Sequence, residues 1–311
     1  MLGTVAGRMR DFKTNLRKII LTRSAAGRLQ LVIAAANRVL GGIEPTPTQL
    51  AEQLQRIADE PDSIEPMLRQ LLVSKSSIAV NLPALLAQTY GASDALPIVS
   101  LGTHCFTSSF LSRWQLKRWS GPFDWLFSSM PMVAHCLSDN FQTLLDPAFY
   151  TPVPMDQRRH GSMVNRVQHE YYRKEYHIEF VFNHHDVHLF DDHAYLVRCT
   201  ARMRNLLDAI EPKVFMVATS YAPHSMSEAH SLASALRLRT RGARLLVFLV
   251  KPSQPGSMLL ESLHREEDFE VYGFVPNSTL GPTAFAELLD EHAMARAVLR
   301  VCQICADPKV K

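Results

Sequence analysis

Four short apolar runs constrain this chain more than any other feature: 98–101, 214–219, 245–250 and 271–275. Each has strand length. None alternates cleanly between apolar and polar, so each reads as a strand buried on both faces. Between them the apolar residues recur at helical spacing. Leu196, Cys199, Met203, Leu206, Leu207 and Ile210 form one stripe. Residues 224–240 read as a helix stopped by Gly242, 285–302 as a closing helix, and 106–117 as another. A further helix is expected over 132–145, with Ser129 to cap it and Pro131 to open it. Ile178, Phe180 and Phe182 alternate like a strand with one buried face. Strands joined by helices need right-handed crossovers, and these build parallel sheets. The expected class is α/β, a mostly parallel sheet flanked by helices.

Residues 1–95 have a different texture. Leu50, Leu54 and Ile57 share a helical face behind Thr46, Pro47 and Gln49, which supply the N-cap, the first-turn proline and the capping-box partner. We read 1–95 as a small helical N-terminal region and 96–311 as the α/β domain, with 92–97 as linker. A length of 311 residues accommodates both, and 47 % apolar with 20 % charged residues supports a sizeable core. The formal net charge of +3 is unevenly spread, because 1–43 hold eight Arg or Lys against Asp11 alone. That is too weak a field to expect nucleic acid as a partner. It leaves peripheral membrane contact through Leu16, Ile19, Ile20 and the basic residues around them. No apolar run approaches the ~18 residues of a membrane span. Arg17, Lys18, Arg23 and Arg28 interrupt any secretory signal, so none is expected. Five scattered cysteines suit a reducing cytoplasm better than a disulfide framework.

Three segments carry chemistry. In Ser100-Leu-Gly-Thr-His-Cys105 a strand ends, Gly102 permits a sharp turn, and Cys105 falls at the start of the next helix. Free amides and the positive dipole end there favour a thiolate and can stabilise an oxyanion. His104 is adjacent, but neighbours on a helix face apart, so it is not the expected base. The second segment is Phe182-Asn-His-His-Asp186. Ending a strand parallel to the first, it would emerge at the same carboxyl edge, where open α/β sheets bind ligands. There His185, or its neighbour His184, could act as general base, with Asp186 to orient it. The third segment, Ser120-Gly-Pro-Phe-Asp-Trp125, puts Phe123 and Trp125 in position for burial. It leaves Asp124 needing a partner, either the Cys105 turn or the histidine. No glycine-rich nucleotide fingerprint, serine-hydrolase elbow or zinc spacing is present, so no cofactor or metal is expected. Cys302-Gln-Ile-Cys305 lacks a second pair, and 150–175 reads as a long polar loop.

Ile98-Val-Ser-Leu-Gly-Thr-His-Cys105, Gly121-Pro-Phe-Asp-Trp125 and the later Phe182-to-Asp186 segment together resemble the bacterial DUF1796 family of papain-like cysteine peptidases. The resemblance covers roughly 96–210. It implies Cys105 as nucleophile and a histidine as base, in a hydrolase acting on a peptide or small-molecule substrate. A papain-like site also implies a histidine on an antiparallel sheet, whereas the strand pattern implies a parallel one. Two other readings stay open. One is an esterase of the SGNH kind, with Asp290 and His292 as partners of Cys105. The other is a binding protein that meets an anionic ligand through Arg158, Arg159 and Arg166.

Overall fold

The computed structural model describes residues 96–158 and 164–306. The helical reading of 1–95, the basic amphipathic N-terminus and Arg159 lie outside the described residues. In chain order the elements are β1 (Ile98–Ser100), α1 (Cys105–Arg113), α2 (Met130–Ser138), α3 (Gln142–Leu145), β2 (Tyr150–Pro152), β3 (Val167–His169), α4 (Glu170–Tyr176), α5 (Phe190–Asp208), β4 (Lys213–Ser220), α6 (Ser225–Arg239), β5 (Ala243–Val250), β6 (Leu259–Arg265), β7 (Phe269–Val275) and α7 (Leu288–Ala306).

One sheet has the order β1-β4-β5-β7-β6. The pairs β1–β4, β4–β5 and β5–β7 are parallel, and only the edge strand β6 is antiparallel, against β7. The fold is therefore mixed α/β with a mostly parallel sheet flanked by helices. Side chains of β4 and β5 pack on both faces, as their unbroken apolar runs require. On one face Phe215, Val217, Val247 and Leu249 join Met132 and Val133 of α2, Met203 of α5 and Leu232 and Leu236 of α6 in the main core. On the other, Phe274 meets Phe285 and Phe285 meets Phe106 of α1, which draws α1 and the approach to α7 over the sheet. Glu291 of α7 then bonds Arg113 and Trp114 at the far end of α1.

Three expectations need correction. The helix over 132–145 is two helices, α2 and α3. Both carboxylate oxygens of Asp139 take backbone amides, those of Phe141 and Thr143, each at 2.8 Å. This local competition diverts the chain, and Asn140 and Phe141 adopt φ of 55° and 62°. The alternating 178–182 segment is a turn. His177 ends α4 in the left-handed conformation, and Val181 and Phe182 are buried in the main core instead of in a ladder. The region 150–175 is not a loop throughout. It carries the β2–β3 pair and α4 around a cluster of Tyr150, His169, Tyr172 and Phe182.

Candidate active site

The site begins where β1 runs out. Leu101 N still donates to Met216 O of β4, and then Gly102 turns the chain at φ +88°. A Cβ on Gly102 would stand 2.3 Å from Ser128 Oγ, so sterics as well as backbone angle select glycine. Ser100 Oγ accepts from Gly102 N at 3.2 Å. Thr107, in the first turn of α1, donates to Gly102 O at 2.8 Å and accepts from Ala218 N at 3.2 Å. The turn is thus bonded to its own helix and to the neighbouring strand. His104 is the N-cap: its Nδ1 accepts from Phe106 N at 3.2 Å. Burial lowers its pKa, which keeps that lone pair available.

Cys105 is the first residue of α1 and only 6 % exposed. Its Sγ lies 3.3 Å from His184 Nε2. His185, the histidine favoured above as base, points elsewhere. It stacks on Tyr195, and its Nδ1 lies 3.7 Å from Asp192. Asn183 Nδ2 lies 3.0 Å from the same His184 Nε2, a neighbour the motif reading passed over. Trp125 walls the imidazole edge-on, with ring centroids 6.1 Å apart at 86°. Phe123 is fully buried in the main core.

The two carboxylates do not reach His184 through any bond. Asp124 Oδ2 lies 2.6 Å from Lys117 Nζ and accepts from Gly121 N at 3.0 Å. Burial raises its pKa, against the opposing pull of Lys117. Asp186 Oδ2 lies 3.5 Å from Arg166 Nε and ties the loop to the β3 approach.

Electrostatics also revise the thiolate expectation. Burial pushes the Cys105 thiol up; the backbone bond at the helix start pulls the other way, and Asp124 adds to the rise. Burial lowers His184, as does the neighbouring His185. The resting pair is a thiol beside a neutral imidazole, because desolvation of a 6 % exposed sulfur outweighs the helix terminus.

The partners needed by the esterase reading stand apart from this pair. His292 packs against Trp114, nine residues and ~13 Å further along α1 than Cys105. Burial and Arg296 hold it down to about 4. Asp290 is engaged by Asn277 N and by Ser278 N and Oγ, as a turn anchor. Of the arginines in the binding-protein reading, Arg158 donates to Val153 O and Arg166 holds Asp186. No group of three or more metal-ligating side chains occurs among the described residues. No described helix is long and apolar enough to cross a membrane.

A family model described as "putative papain-like cysteine peptidase (DUF1796)" matches residues 97–254, just over half of the chain. The chain belongs to this family. The matched DUF1796 region contains Cys105, His184 and Trp125, and it ends just past β5. No curated protein and no solved structure matches the chain. Cys105 opens a helix. The histidine, however, rides a loop beside a parallel sheet instead of an antiparallel strand.

Proposed function

We propose that this DUF1796 protein is a cysteine-dependent hydrolase or acyltransferase in which Cys105 is the nucleophile and His184 the base. The reading is carried by one observation, the 3.3 Å contact between Sγ and Nε2 of residues 79 apart in sequence. As Sγ bonds to the carbonyl carbon of a peptide or small ester, its proton passes to Nε2. The tetrahedral oxyanion faces first-turn amides of α1 not already taken by the His104 cap. It collapses to a thioester while His184 returns the proton to the departing amine or alcohol. Water, or an acceptor nucleophile, then gives up a proton to His184 and takes the acyl group, and His184 returns that proton to Sγ as the C–S bond breaks. Because the resting pair is uncharged, the proton moves during attack, and His184 acts as a general base from the start. Asp124 and Asp186 serve the site indirectly, through Lys117 and Arg166. A reducing compartment suits such a thiol, in line with the four free cysteines described. The division into 1–95 and 96–311 belongs to the same proposal.

The test uses turnover of a peptide and ester panel together with Cys105 alkylation, followed by peptide mass spectrometry. Cys105→Ser and His184→Ala should lose ~10²–10⁴-fold in turnover, the range for a nucleophile's general base, while His185→Ala stays within severalfold. His184 must be neutral to accept the proton. Its lowered pKa keeps it so below the ordinary 6.5, so the acid limb of kcat/KM should fall below pH 6.5. Loss of turnover in His185→Ala with His184→Ala intact would reverse the assignment. Alkylation indifferent to both histidines, with no turnover, would leave a binding protein.

A further inference from the structure

Lys117 follows α1 but turns back along it, its amide bonded to Leu111 O at 3.1 Å. Its ammonium is only 14 % exposed at the side chain and meets three partners at once. Ser108 Oγ, one turn beyond Cys105 on the same helix, accepts at 2.8 Å. Asp124 Oδ2 lies at 2.6 Å and is itself 1 % exposed. The Trp125 ring centroid lies at 5.7 Å, a cation–π distance, and the same indole walls His184. One buried cation thus touches the nucleophile's helix, the carboxylate nearby and the wall of the base.

We propose that Lys117 is a positioning residue for the Cys105–His184 pair, tying Asp124 to the first turns of α1 and holding Trp125 against the imidazole. The inference rests on the hydrolase reading above. The groups facing the thiol from the surrounding elements are few. Asp124 opposes its ionisation, His184 Nε2 lies 3.3 Å from its sulfur, and His185 lowers the His184 pKa. His104 is committed to the helix cap. A carboxylate buried this deeply is costly without its cation, so loss of Lys117 acts on the thiol as well as on packing.

The test is the alkylation rate of Cys105 by iodoacetamide from pH 6 to 10 in the full chain, read by peptide mass spectrometry. Lys117→Met should slow the reaction at pH 8 about tenfold, equivalent to one pKa unit. Lys117→Arg should keep the rate near wild type. Asp124→Asn should speed it, and the double variant Lys117→Met/Asp124→Asn should return to within about twofold of wild type, since the charge and its partner leave together. A purely structural lysine would lower the melting temperature without moving the pH profile, and that result overturns the proposal. Should Lys117→Met fail to fold, Asp124→Asn decides: faster alkylation sustains the proposal and an unchanged rate overturns it. His184→Ala is measured in parallel. If it slows alkylation while Lys117→Met does not, only the Lys117 role falls. If it too has no effect, the hydrolase reading falls first.

Discussion

Cys105 and His184 sit 3.3 Å apart, yet they are held in different ways. The cysteine stands on regular structure. β1 pairs with β4, Gly102 turns, and Thr107 bonds both the turn and the end of β4, so backbone ladders determine the sulfur's place. The histidine lies in an irregular loop between α4 and α5. That loop is anchored by two backbone bonds, Phe127 N to Val181 O and Asn165 N to Asn183 O, and by the buried ring of Phe182. A thiol placed by hydrogen-bonded ladders tolerates little change in backbone angle. An imidazole placed by packing tolerates little change in volume.

Three substitutions sharpen or break this comparison. The largest effect is expected at Phe182, whose ring meets Tyr150 at 5.2 Å and His169 at 5.8 Å. Phe182→Ala should cost ~3–5 kcal/mol in urea unfolding, the usual range for a buried aromatic. It should also remove the His184 dependence of Cys105 alkylation. If stability falls but that dependence survives, the loop is positioned by its backbone bonds and the contrast fails. Gly102→Ala comes next. The new methyl would meet Ser128 Oγ at 2.3 Å on a backbone at φ +88°. A loss of ~1–3 kcal/mol, typical of overpacking, should appear as a lower melting temperature. Gly102→Ala/Ser128→Gly should recover the steric part and leave the backbone part. Least is expected of Asp186→Asn, because the Arg166–Asp186 pair is long and partly exposed. Below ~1 kcal/mol in thermal unfolding is the prediction for such a pair. A larger loss would mean that charge, more than the Phe182 ring, holds the His184 loop.

The parts readable in advance were those with a period. β4, β5 and α5 announce themselves through apolar runs and a helical stripe, and each element lies within a residue or two of the expected bounds, apart from the start of α5. The strand–glycine–cysteine–helix arrangement was equally legible, because the turn and the helix start are local in sequence. What failed were periods that contacts elsewhere overrode. The Asp139 side chain broke an otherwise convincing helix. Phe180 and Phe182 alternated without forming a strand, since Phe182 is buried by aromatic contacts with distant residues. Lys117 carries no motif at all. It lies in the solvent-facing style of a helix end, and only the tertiary contacts with Ser108, Asp124 and Trp125 reveal it.

By itself, then, the sequence determined the α/β class, the buried parallel strands and the place of Cys105 at a helix start, because local periodicity and turn chemistry dictate all three. Tertiary structure alone decided which of two adjacent histidines faces the sulfur. Consecutive residues of a loop point in different directions, and the choice between His184 and His185 depends on where Phe182 buries and where Trp125 stands. Burial likewise set the protonation of the pair, since desolvation depends on how much chain surrounds a group and not on its neighbours in sequence.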